Sequence, residues 1–408
     1  MLAADTTPTP PWAELRFTVP GERSYLDGER LYVVRTTGFE RGTMTAYRLA
    51  DGAQLWQASR GIGAQQGNRR PGGPAIRHDH TFTVQGGYPL HITSSRIHQG
   101  DTWQRHDAFT TALDPATGRQ LWTRPGWPIG PDTALAGTSS RDLLLLEQWG
   151  PEARVKTAVH PATGDVAWDT PKEPGWTRQG GGHLVSRAPD GALTSYDIHT
   201  GARLATTSAA TGAGDAHGHR VAGDVVLMWQ QAPRPEVVAY EADTLAERWR
   251  APVPADSTVG DCRTVVCVHG PYGVAALDPD TGAIRWSADW PADGLGRQQV
   301  RELPPPWPDG QVLMSFTGTT ARYAGLHAAG TGEPLLDLDG WWPMVDASPQ
   351  PLLSRTPPTG RTWFGRLVLD PPGIETLGAV GPTSWCRAVD RHLACQVDAR
   401  VHVWQVRR

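Results

Sequence analysis

The segment Leu277-Asp278-Pro279-Asp280-Thr281-Gly282-Ala283-Ile284-Arg285-Trp286 decides the fold. An alternating apolar run, Gly273-Val274-Ala275-Ala276, leads into it, and Ala283-Ile284-Arg285-Trp286 leads out. Period-two alternation on both sides of an Asp/Pro/Thr/Gly cluster is the signature of two antiparallel strands joined by a hairpin. Asp278 is placed to accept hydrogen bonds from backbone N–H groups two residues on, closing an Asx-type turn. Pro279 presets φ for a type I turn, and Gly282 supplies the left-handed residue of the loop. Trp286 then falls at a fixed offset on the outgoing strand, where its ring can cover a neighbouring unit while its N–H finds a partner.

The same unit recurs along the chain. Clear copies are LDPATGRQLW (Leu113 to Trp122) and VHPATGDVAW (Val159 to Trp168). Weaker ones are YRLADGAQLW ending at Trp56, YDIHTGARLA from Tyr196, YEADTLAERW ending at Trp249, HAAGTGEPLL from His327 and LDPPGIETLG from Leu369. A supersecondary unit repeated every few tens of residues marks a repeat architecture, whose copies must stack because none can bury its apolar face alone. Upstream of the turns lie further apolar runs, such as Leu143 to Leu146, Val225 to Met228 and Val312 to Phe316. Each unit therefore reads as about four strands, a propeller blade. The 46 glycines and 36 prolines agree, being too many for helices of ordinary length.

The spacing A-x-D-x-x-T-G-x-x-x-W, as in Ala112 to Trp122, resembles the repeat of the pyrroloquinoline-quinone (PQQ) propellers. That superfamily includes quinoprotein dehydrogenases, the propeller lipoprotein of the outer-membrane assembly machine and many actinobacterial proteins. The resemblance runs from about Trp12 to Arg408 and implies an all-β propeller of four-stranded antiparallel blades. Eight blades are favoured, the usual number in this family, although the raw repeat count gives nine. The segment from Trp12 to Phe17 reads as an outermost strand. At the other end, Trp385 to Asp390, Leu393 to Val397 and Val401 to Val406 read as three strands lacking a fourth. Pairing the two ends would close the ring and remove exposed edges. Residues 1–11, with Thr6-Thr7-Pro8-Thr9-Pro10-Pro11, read as a flexible linker. The rest, 12–408, reads as one propeller.

The four cysteines fall into two near-neighbour pairs, Cys262 with Cys267 and Cys386 with Cys395. A two-residue turn at Asp390-Arg391 would set Cys386 opposite Cys395, within disulfide reach. The equivalent turn for the first pair, Thr264-Val265, suits positive φ poorly, so that hairpin needs a bulge or another turn. Disulfides are expected at both pairs; the alternative is four buried thiols in a cytosolic protein. Met1 to Asp5 is too short for a signal segment, and no apolar run approaches a membrane span. The linker and the disulfides fit an extracytoplasmic or membrane-anchored part of a longer protein; a cytoplasmic chain is the alternative. The net charge of −4 gives no footprint for nucleic acid.

No cofactor and no metal are expected. Quinoprotein dehydrogenases hold PQQ under adjacent cysteines with a calcium ion, whereas this chain has no adjacent cysteines and one asparagine, Asn68. Gly61-Ile62-Gly63 and Gly180-Gly181-Gly182 precede no helix, which argues against phosphate binding. The pairs His78/His80 and His217/His219 can each offer two metal ligands from one strand face, but such pairs are ordinarily solvated or hydrogen-bonded surface. The expected function is a non-catalytic binding, scaffold or sensor module, monomeric, for a protein, cell-wall or small-molecule ligand. The alternatives are a PQQ- or metal-dependent oxidoreductase, or a lyase or hydrolase acting at the propeller mouth. Gly52 and Gly118 stand 66 residues apart, the longest gap between adjacent turns, which reads as an insertion around 60–106. It carries Arg69, Arg70, Arg77, His78, His80, His91, Arg96, His98, Trp103, Arg105 and His106. Long loops on rigid scaffolds concentrate binding residues, so this basic, His-rich stretch is the candidate binding loop, the alternative being a variable surface loop without a role.

Overall fold

A computed structural model describes residues 13–36, 41–61, 76–99, 102–129, 143–149, 154–171, 175–208, 216–230, 234–260, 262, 264–270, 273–289, 297–302, 310–317, 322–338, 340–344, 352–356, 360–369, 372–381, 383, 386–389 and 391–407. Strands are the only regular elements among them, and they form nine four-stranded antiparallel sheets. Blades 1 to 8 span 23–61, 76–125, 127–169, 176–207, 216–252, 258–289, 297–337 and 342–380, each in simple up-and-down order. Blade 9 combines 386–406 with the N-terminal strand Ala13–Pro20, which pairs with Arg400–Val406 from Ala13 opposite Val406 to Pro20 opposite Arg400. Nine is the raw repeat count and one more than the favoured eight. The unit from His183 to Thr207 that eight would discount is a complete sheet, blade 4. It lost its Trp marker, with Ala205 in that place, and kept its strands.

Seven turns share one hydrogen bond. The amide five residues into each turn donates to the carbonyl of its first residue, as in Gly118 to Asp114, Gly282 to Asp278 and Gly332 to Ala328, at 2.8 to 2.9 Å. Asp114 and Asp278 also accept from two backbone amides each, as the Asx reading expects. Arg285 and these amides hold the Asp278 carboxyl down at about 2.

Where a unit ends in Trp, that residue joins one blade to the next. The indole N–H of Trp56 donates to Pro115 O at 2.8 Å, Trp122 to Pro161 O at 2.7 Å, Trp249 to Pro279 O at 2.8 Å and Trp286 to Ala329 O at 2.7 Å. Each ring lies against the turn glycine of the following blade. A Cβ on Gly118 would stand 2.5 Å from the Trp56 ring, and one on Gly282 2.5 Å from that of Trp249. Glycine is therefore required there twice, by its φ of about 70° and by the ring pressed against it. Phe17 takes the Trp place against Gly52. Trp168 also packs on its glycine, Gly201, but its indole N–H is buried without a hydrogen bond.

The junction between blades 4 and 5 is built differently. Where blade 4 has Ala205 in the Trp place, blade 5 has Leu245 in the Gly place, at φ 54°. Leu245 keeps the shared turn bond, to Glu241 O at 2.8 Å. Its buried side chain packs with Val185, Leu193 and Tyr240, with Ala205 against the same cluster. Leucine fills the volume that the indole vacates and accepts a backbone region that disfavours Cβ by about 1–2 kcal/mol.

The core is divided rather than central. Val185 and Leu193 of blade 4 pack with Val221, Val226 and Met228 of blade 5, and the other clusters bridge consecutive blades in the same way. Ala13, Leu393 and Trp404 of blade 9 pack with Leu352 and Phe364 of blade 8, while Val19, Val401 and Val403 meet Leu31 and Val33 of blade 1, so the series returns to its start. Both cysteine pairs are disulfides. Cys386 lies opposite Cys395 on paired strands, with Cα atoms 4.1 Å apart; position 390, in the expected turn, lies outside the described residues. Cys262–Cys267 instead clips a longer connection, closed where Gly260 N donates to Cys267 O at 2.7 Å.

Candidate functional site

The stretch read as a binding loop is mostly paired strand. Ile76–Gln85, Tyr88–Gln99 and Thr102–Leu113 are the three long inner strands of blade 2. Arg69 and Arg70 lie outside the described residues. Backbone register places Arg77 opposite Arg96, His78 opposite Ser95, His80 opposite Thr93, Arg96 also opposite Arg105, and His98 opposite Trp103; His106 is on the third of these strands. Of this set only the side chain of His91 is described. It is buried with its ring 4.7 Å from that of Phe82, in a packing role. The extra length thus extends a blade, because 10- to 12-residue strands absorb it in register.

Of the two His pairs, His219 is buried and its Nε2–H donates to Val185 O at 3.2 Å, which removes that nitrogen from any surface chelate. Among the described residues no group of three or more His, Cys, Asp or Glu side chains is arranged to hold a metal.

An open recess of about 580 Å³ lies where blades 9 and 1 meet, lined by Arg16, Glu29, Arg30, Arg48, His392 and Gln405, with Leu49 and Leu55 as apolar wall. The turn beside it is organised by Asp27, which accepts from the Tyr32 hydroxyl at 2.7 Å and from the Arg30 amide at 2.8 Å. Burial, reinforced by Asp27, pushes the Tyr32 phenol far above its usual range, so it remains a proton donor that fixes the turn. Arg16 bonds Glu14 and Ala50 O, Arg30 pairs with Asp27, and Arg48 pairs with Asp51. The three arginines of the recess are thus engaged by neighbouring groups of the fold. Neither Asp27 nor this recess stood out in the sequence, because the seam is formed by segments from opposite ends of the chain.

The family model described as outer membrane protein assembly factor BamB matches residues 106–206 and 189–330, more than half of the chain. The chain belongs to this family of PQQ-like β-propeller repeat proteins. Among solved structures it is similar to BamB from Moraxella catarrhalis, with 13% identity over 97% of this chain and 98% of that one and a TM-score of 0.41. It is also similar to the computationally designed Ika8 protein, with 14% identity over 80% of this chain and 95% of that one and a TM-score of 0.47. The C-terminal WD40 domain of Sif2 shows 9% identity over 97% of this chain and 99% of that one, with a TM-score of 0.45. No curated protein matches the chain by sequence.

Proposed function

We propose that this propeller is a non-catalytic binding or scaffold module that works outside the cytoplasm. The observation that carries the reading is the fate of the repeated aromatic residues. Trp56, Trp122, Trp249 and Trp286 all spend both ring and N–H on the next blade, so the motif that resembles quinoproteins serves packing. The outermost strands add solvent-exposed apolar side chains, among them Val166, Leu204, Ile284 and Leu335, on a rigid perimeter. The family's description as an assembly factor supports a protein partner, and two disulfides support an oxidising compartment. The test is a titration of the purified protein with PQQ and calcium, read by tryptophan fluorescence and followed by a dye-linked dehydrogenase assay. No saturable quenching and no turnover are expected; quenching at one ligand per chain with turnover would establish the oxidoreductase alternative.

A further inference from the structure

The odd junction between blades 4 and 5 also holds a buried arginine. Arg187 ends the strand His183–Arg187 and is 9% exposed, yet its Nε makes no hydrogen bond and its guanidinium has no ion pair among the described residues. Val185, two residues earlier, packs against Val221 and Met228 of blade 5, so Arg187 faces blade 5 as well. Ser195 and Arg178 are the two register partners of Val185 and share that face. The Ser195 hydroxyl is fully buried and has no hydrogen-bond partner. Arg178 is exposed on the edge strand Trp176–Gly180, which lies beside the corresponding strand Ala216–Ala222 of blade 5.

Three cations, Arg178, Arg187 and Lys156, lie close enough to this junction to act on His219. Burial and the nearby Arg178, Arg187 and Lys156 hold His219 down at about 4, so it is neutral at pH 7. Its Nε2–H is committed to Val185 O. Glu236 belongs to the facing sheet of blade 5, but Arg250 takes it at 2.6 Å and the Gln230 amide bonds it too. A guanidinium cannot shed its proton, and leaving one buried and unpaired is strongly unfavourable. Such a group is kept at little cost only if an anion completes it, and its planar fork matches a carboxylate.

We propose that the junction between blades 4 and 5 binds a carboxylate group, with Arg187 as its buried clamp, Ser195 as a second donor and Arg178 at its exposed edge. The proposal deepens the binding-module reading by giving that module an anchor, and it rests on it. The carboxylate can belong to a small dicarboxylate or to a peptide, and the two sources are separable.

The experiment is a thermal-shift and calorimetric titration of the full chain at constant ionic strength, with succinate, with sulfate, and with a short peptide bearing either a free or an amidated C-terminus. Wild-type protein is expected to show saturable stabilisation by succinate or by the free-acid peptide, and at least tenfold weaker response to sulfate or the amide. Arg187→Met is expected to keep or raise the Tm of the unliganded protein, since it removes an orphan charge, and to weaken carboxylate binding at least tenfold. Ser195→Ala, which leaves every charge in place, is expected to weaken it severalfold, which keeps the test valid if the arginine variant folds poorly. An absent carboxylate response in wild type, or one that survives both substitutions, overturns the proposal. Either result leaves the non-catalytic reading to be judged by the PQQ titration alone.

Discussion

Leu245 and Ala205 provide a test of how the blades are joined. At the standard junction a ring lies on a glycine; here the ring is absent and a leucine stands in the glycine's place, 4% exposed. Leu245→Gly removes that side chain from the shared core, a change that costs about 2–5 kcal/mol when the cavity does not collapse. Release of the left-handed strain returns about 1–2 kcal/mol. The net loss should be about 2 kcal/mol. Ala205→Trp alone forces an indole against Leu245 and should cost about 1–3 kcal/mol as overpacking. The two changes together rebuild the Trp249–Gly282 arrangement, so the double variant should lie within about 1 kcal/mol of the parent. The coupling would then be about 2–5 kcal/mol, at or above the upper end for residues in contact. Urea unfolding followed by far-ultraviolet circular dichroism measures it without interference from the added tryptophan. A double variant as unstable as the sum of the two singles would refute ring-on-glycine packing as the rule of assembly.

Two further outcomes follow from the same structure. Removing the Cys386–Cys395 bridge with paired serines should lower stability by about 2–3 kcal/mol, the loop-closure entropy for so short a separation, measured as a shift in urea midpoint. His219 titrates near 4 in the folded chain against an ordinary value of 6.5. The unfolded chain therefore binds the proton first, and stability present above pH 6.5 is lost progressively as pH falls toward 4, about 2 kcal/mol of it by pH 5. His219→Gln should flatten that part of the stability–pH profile; an unchanged slope would show that the histidine is not buried neutral.

What the sequence displayed was what short spacing encodes. The Asp-to-Gly turns, the Trp offset, the opposed Cys386 and Cys395 and the terminal strands all depend on residues a few positions apart, or on ends that must pair. Sequence favours eight blades over nine because Ala205 stands where other units have Trp, and Leu245 in YEADTLAERW takes on meaning only when the two blades lie side by side. The long segment between Gly52 and Gly118 was read as a loop because its polar and histidine residues masked three strands of blade 2. The seam recess and the Arg187 junction have no sequence signature. Each is assembled from residues whose neighbours come from another blade, and burial of a lone arginine leaves no mark on the chain.

The measurement that bears most directly on the account is a cross-link across the seam of blade 9. Glu14 and Gln405 are register partners on the strands from opposite termini. With Glu14→Cys and Gln405→Cys introduced together, mild oxidation should give an intramolecular bond in the monomer, seen as fragments held together after a single proteolytic nick until reductant is added. Failure to bond, or bonding only between molecules, would contradict a propeller whose last blade is built from both ends of the chain.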